Sequence, residues 1–226
     1  MDFKYLKKGF DGNDEVSSFY YLEGDKNADV RIMFIGNSIT IHELKPEIGW
    51  NKQCGMAASD INHDYVHIVY KYLLNKHKSV SICVCNAKEW ELDYPNKSKA
   101  DLIISLIEKY QPHILVLRIG ENFKRDYLNQ SNPYNAFDYI IKNAKKVVNK
   151  VIVTSLFWEW DNLDAAIKKV AYDNNVKYVY LTDLSKDKTN EAIGQFENRG
   201  VSLHPNDKGM KEIANRILGA LEDYEI

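Results

Sequence analysis

The sequence predicts an α/β fold, a three-layer α/β/α sandwich built on a five-stranded parallel sheet, and three observations predict it. Short apolar, β-branched runs recur along the 226 residues, amphipathic stretches of helical period separate them, and no internal repeat or low-complexity linker interrupts the alternation. Strict alternation of strand and helix implies parallel strands joined by right-handed crossovers, which cover both faces of the sheet with helices.

The runs at residues 30–35, 80–85, 114–119, 151–156 and 178–181 read as the five strands. Between them the stretches 59–75, 99–110, 134–148 and 162–174 read as helices, and 207–221 closes the chain as another. Residues 1–29 carry few apolar positions in any clear period and are expected as an N-terminal arm or edge element of a single domain spanning 1–226. A chain of this length that is 45% hydrophobic can bury one sizeable core. In a flavodoxin-like strand order of 2-1-3-4-5, ligands bind beyond the carboxyl ends of the strands, at the switch between the first and third. Ser38 follows the first predicted strand and Asn122 the third, so both flank that switch. The stretch 185–203 has no strong period and must carry the chain back from the fifth strand to the same place. Three strand spacings of ~4.8 Å amount to about 14 Å, an easy reach for such a loop.

Composition narrows the classes of function. The formal net charge is −2 with Lys, Asp and Glu interspersed, which argues against the basic face that nucleic acid requires. Cys54, Cys83 and Cys85 form an odd set, two of them on one face of a strand pattern, and read as reduced, buried thiols. No apolar run approaches a membrane span and residues 1–8 contain no signal-peptide core, so no membrane partner is expected. The expected location is cytoplasmic, unless a leader has been removed.

Two short motifs near opposite ends carry the chemistry. Ile35-Gly36-Asn37-Ser38 closes the first strand and Leu203-His204-Pro205-Asn206-Asp207 opens the last helix. A serine hydroxyl is a poor nucleophile until a base takes its proton, and histidine suits that task near neutral pH. With Gly120-Glu121-Asn122 as a third block, the chain resembles the SGNH, or GDSL-like, serine hydrolase family of esterases and acetylesterases across almost its whole length. The resemblance implies Ser38 as nucleophile, His204 as its base, and an oxyanion hole from the Asn122 amide and the Ser38 N–H. It implies no metal and no cofactor.

The chain departs from the family in three places. Asn37 stands where the best-known version has Asp. Val201 stands three residues before His204, where an Asp commonly orients the imidazole, so a main-chain carbonyl or a displaced acid, Glu197 or Asp183, must do that work. No glycine follows the second strand, where residues 86–91 read Asn-Ala-Lys-Glu-Trp-Glu, so the hole must draw on the Trp90 or Glu91 N–H, or on Gly55 from the first connection.

Trp50, Trp90 and Trp158 gather at the same rim, with Glu91 and Glu159 beside them. Flat rings suit a sugar or an acyl chain, and they equally suit a cover over the sheet end. Glu91 reads as a group that orients a substrate hydroxyl, or as a solvated side chain. His63 and His67 lie four apart, a spacing used for metals, but no third ligand accompanies them. The expected function is therefore hydrolysis of a small-molecule or carbohydrate ester through an acyl-enzyme, O-deacetylation of a carbohydrate being the special case. The alternatives are an acyltransferase using the same dyad and a carbohydrate-binding module on the same fold with weakened catalysis.

Overall fold

The computed structural model describes residues 19–25, 27–128 and 131–222. Its sheet has six strands: β1 (Phe19–Glu23), β2 (Val30–Gly36), β3 (Val80–Asn86), β4 (Ile114–Leu117), β5 (Lys150–Thr154) and β6 (Lys177–Val179). Their order is β1-β3-β2-β4-β5-β6. Five of them run parallel and β1 pairs antiparallel with β3, so the five-stranded, all-parallel sheet expected from the sequence is a six-stranded mixed one. The extra strand escapes a search for apolar alternation because Phe-Tyr-Tyr-Leu-Glu sits on an edge, where only one neighbour constrains it.

Among the described residues, eight helices accompany the sheet: α1 (Tyr65–Lys76), α2 (Lys88–Leu92), α3 (Lys97–Tyr110), α4 (Arg125–Leu128), α5 (Pro133–Ala144), α6 (Asp161–Asp173), α7 (Arg199–Ser202) and α8 (Asp207–Glu222). The two-residue period of the central strands sorts the core into two halves. Ile32 and Phe34 of β2 face α1 and α8, with Val69, Ile213 and Ile217, whereas Met33 and Ile35 face the side of α3, α5 and α6, with Ile103, Ile140 and Ile167. Burial on both faces explains why β2 and β3 read as unbroken apolar runs. Cys83 and Cys85 lie two apart on the second of these faces, and all three thiols are free and buried.

The first connection carries the structure's deepest departure from the predicted helix boundaries. α1 begins at Tyr65, not near 59, because the Asp64 carboxylate accepts the His67 N–H at 2.8 Å and caps the helix there. His63 therefore precedes the helix, with Nδ1 3.1 Å from Ser59 Oγ, and shares no helix face with His67. Among the described residues no three metal-ligating side chains converge. His67 is buried and holds two elements together: Nδ1 lies 2.7 Å from Asp64 Oδ1 and Nε2 lies 2.8 Å from Tyr21 Oη on β1, with Glu23 Oε2 at 3.5 Å.

Burial by itself lowers the affinity of His67 for a proton, but Asp64 and then Glu23 outweigh it and hold the pKa up to about 9. The folded value lies above the unfolded value of about 6.5, so the charged pair stabilises fully below that pH and its contribution is lost as pH rises through 9. We predict that the urea midpoint of the wild type falls between pH 7 and 9.5 and that His67→Gln removes most of this slope. An unchanged slope in the variant would assign the loss to other groups.

Candidate active site

Ser38 is placed by the turn that ends β2. The Asn37 carbonyl accepts the N–H groups of Thr40 at 2.9 Å and Ile41 at 3.0 Å, a helical turn that sends the Asn37 side chain inward and leaves Ser38 half-exposed at the rim. The Met56 N–H donates to the Ser38 carbonyl at 2.8 Å, whereas the Ser38 N–H takes part in none of the turn's hydrogen bonds.

His204 arrives from the far edge of the sheet on a braced segment. Asn198 caps α7 by accepting the Val201 N–H at 3.1 Å. Asn206 caps α8 by accepting the Gly209 N–H at 3.0 Å, and its amide donates to the Thr189 and Glu191 carbonyls at 2.9 and 2.8 Å. The Ala192 N–H donates to the His204 carbonyl itself at 2.9 Å. Between these braces His204 Nε2 lies 2.8 Å from Ser38 Oγ, and Nδ1 lies 2.7 Å from the Gly200 carbonyl. A carbonyl only accepts, so Nδ1 carries the proton, Nε2 is bare, and the Ser38 hydroxyl donates to it. Such an arrangement can activate a serine hydroxyl as a nucleophile.

The geometry decides among the acids named from the sequence. Asp183 is paired with Arg216 at 2.5 and 2.8 Å, away from His204. Glu197 is exposed in a groove of about 570 Å³ between residues 46–49 and 195–198, and the His204 nitrogen it would have served is already bonded to Gly200. Val201 is fully buried in the core, so a carboxylate there would enter an apolar cluster. Burial lowers the His204 pKa to about 4, a shift that the Gly200 carbonyl opposes and the charges of His42 and Arg118 reinforce. The Trp158 ring stands edge-on to the imidazole at 5.3 Å and is itself half-buried.

Beneath Ser38 lies a polar network that the sequence reading missed. Arg118, directly after β4, is fully buried, and donates through Nη1 to Glu121 Oε1 at 2.5 Å and through Nη2 to Asn37 Oδ1 at 2.6 Å. Asn37 donates from Nδ2 to Glu91 Oε1 at 2.9 Å and to Glu121 Oε2 at 2.6 Å. Glu91 also accepts the Gly120 N–H and the Asn122 amide. Its carboxylate is fully buried, so the substrate-orienting role expected for Glu91 is replaced by one inside the protein. The available signal was Arg118 itself, a cation inside the apolar run 114–119, which a strand pattern absorbs unless the burial of its side chain is considered.

Other expected site residues also lie inside. Trp50 and Trp90 are 0% and 1% exposed; the first packs on Phe196 and the second on Phe123 and Phe137, so neither faces a substrate. The reason is that their connections fold back over the sheet end, where large rings find most area to bury. Trp158 alone of the three nominated rings reaches the rim beside the dyad. The Gly55 N–H is bonded to Asp64 Oδ2 at 3.3 Å, and a Cβ at Gly55 would meet the Ile39 carbonyl at 2.5 Å, so this glycine serves packing and not an oxyanion. The Glu91 N–H donates to the Ala87 carbonyl within α2. Of the candidate donors, the Ser38 N–H and the Asn122 amide stay at the rim, with Asn122 half-exposed.

No family model and no curated protein matches the sequence. Solved structures do. The chain is similar to the psychrotrophic esterase EstA from Pseudoalteromonas sp., at 13% identity over 86% of this chain and 98% of that one, with a TM-score of 0.58. It is similar to the acetylxylan esterase Axe2 from Geobacillus stearothermophilus, at 14% identity over 86% and 94% of the two chains, with a TM-score of 0.57. The structure of TesA aligns at 13% identity over 85% and 98%, with a TM-score of 0.55. The chain shares their fold.

The network also explains Asn37. Both of its amide hydrogens point at carboxylates, Glu91 and Glu121, so an aspartate there would place a third acid among them with Arg118 as the one cation in contact. We predict that the isosteric Asn37→Asp destabilises the protein by ~3–5 kcal/mol at neutral pH, the cost of an uncompensated buried charge, with the loss shrinking under mildly acidic conditions as a carboxylate protonates. Equal chemical-denaturation midpoints for the two proteins would refute this.

Proposed function

We propose that the protein is a serine esterase that hydrolyses short acyl esters, and that an O-acetylated carbohydrate is its substrate class. The observation that carries the reading is the 2.8 Å contact between Ser38 Oγ and a His204 Nε2 left bare by the Gly200 carbonyl. The esterases that share the fold support it, and one of them acts on acetylxylan.

In this reading the Ser38 oxygen attacks the ester carbonyl as its proton passes to His204 Nε2. The oxyanion that forms is met by the Ser38 N–H and the Asn122 amide, donors that each contribute ~3 kcal/mol to such an intermediate. His204 returns the proton to the departing alcohol, and water repeats the sequence on the acyl-enzyme to release the acid and restore Ser38. The Gly200 carbonyl fixes the tautomer but stabilises imidazolium less than a buried carboxylate would, so turnover is modest. Trp158 offers a flat apolar face to the C–H surface of a sugar or an acetyl group beside the dyad.

A Ser38→Ala protein should fold with an unchanged unfolding midpoint, because the hydroxyl is half-exposed at the rim, and should lose hydrolysis of acetylated xylo-oligosaccharides and of short-chain nitrophenyl esters together. Retained turnover, or failure of a phosphonate probe to label wild-type Ser38, would sink the assignment. The pH profile carries an independent test. His204 acts as a base only when neutral, and its pKa is lowered to about 4, so activity should persist as pH falls through 6.5 and decline only near the lowered value. An acid limb in kcat/KM at the ordinary imidazole value would contradict His204, with its lowered pKa, as the base.

A further inference from the structure

We infer that Glu91 is a positioning residue, a buried carboxylate that holds the Asn122 amide in the orientation an oxyanion donor needs. The inference rests on the serine-esterase reading above. Asn122 follows β4 on a half-exposed turn, and an asparagine amide presents a donor edge and an acceptor edge of nearly the same shape. Only a neighbour that discriminates donor from acceptor fixes which edge faces Ser38. Glu91 Oε2 accepts from Asn122 Nδ2, and Oε1 accepts the N–H of Gly120 two residues earlier. One carboxylate thus grips the turn at both ends. It leaves the second Nδ2 hydrogen of Asn122 unclaimed by any other group among the described residues.

The conformation of the turn agrees. Gly120 has φ +132, a value that side chains other than glycine rarely adopt, and this conformation aims its N–H at Glu91. Every contact made by the Glu91 oxygens is with an N–H, namely those of Asn37, Gly120 and Asn122, so a proton on the carboxyl would have no acceptor among them. Burial, and after it the charge of Glu121, push the Glu91 carboxyl above its ordinary value, and the three donors oppose them. The Arg118 guanidinium, bonded to Asn37 and Glu121, offsets one of the two carboxylates beneath the site. α2, which carries Glu91, is locked in turn by the Trp90 ring against Phe123 and Phe137.

Replacement of Glu91 by Gln keeps the volume and one acceptor oxygen, which the two N–H groups of Asn37 and Gly120 claim, so the new amide nitrogen faces Asn122, which turns its Oδ1 edge round and faces the oxyanion with the wrong dipole. Glu91→Gln is expected to lower kcat and the rate of phosphonate labelling of Ser38 by about 10²-fold, the loss typical of a missing oxyanion donor, with KM little changed. In an Asn122→Ala background the same substitution should cost little more, because the group it acts through is gone. Additive losses in that cycle, or equal labelling of wild type and Glu91→Gln, would overturn the inference while leaving the esterase reading intact. A wild type that the phosphonate never labels would remove that reading and the inference with it. Should Glu91→Gln fail to fold, the wild type decides: in an asparagine-labelled NMR spectrum the side-chain signal lost in Asn122→Ala should show one downfield amide proton protected from exchange. Two protons exchanging at solvent rates would overturn the inference.

Discussion

A guanidinium with no exposure to solvent sets the terms for everything around Ser38. Arg118 is bonded to the Glu121 carboxylate and the Asn37 amide oxygen, and a charge in that position costs several kcal/mol unless its partners are in place. The requirement propagates outward. Glu121 must bridge Arg118 and the Phe157 N–H, Asn37 must present both hydrogens to acids, and Glu91 must come in from α2 to take one of them. Three separate connections, after β2, after β3 and after β4, are thereby tied at one point directly under Ser38. A rim built from loops gains the rigidity of an interior.

The same logic explains why a site with a histidine lacking its acid is still well formed. The usual aspartate does two things: it selects the tautomer and it stabilises imidazolium. Here the first task falls to the Gly200 carbonyl, held in place by α7 and its Asn198 cap. The second falls to no carboxylate in contact, and the proton affinity of His204 is low as burial demands. Tautomer control is a matter of geometry, and a short capped helix supplies it. Charge stabilisation is electrostatic, and the buried negative charge of this site lies under Asn122 instead of behind His204.

The hairpin-like connection from His42 to Cys54 and the capped turn around Asp64 brace Ser38 from the other side. Met56 donates to the Ser38 carbonyl, Gly55 donates to Asp64, and Asp64 starts α1 and pairs with His67. The Asp64–His67 pair resembles part of a catalytic triad in composition, yet it lies away from Ser38 and ties β1 to α1 through Tyr21. Composition alone cannot separate these two histidine environments; what each ring nitrogen faces does.

Periodicity and block order made much of this protein legible. Unbroken apolar, β-branched runs located the parallel strands, helical periods located the layers, and Gly36-Asn37-Ser38 with His204-Pro205 located the pair that meets at 2.8 Å, because strand ends and helix starts are local properties of the chain. The edge strand β1 was half legible, since one neighbour imposes a weaker pattern than two. The network under the site was not legible. Glu91, Arg118 and Glu121 are charged residues in segments that read as solvated or as strand, and the same letters describe a surface acid and a buried one. Only the packing of three distant connections against one another removes water from them, and only then does each charge require the specific partner it has. The sequence by itself determined where Ser38 and His204 would stand; the tertiary structure decided what surrounds them, because burial is a property of neighbours and not of residues.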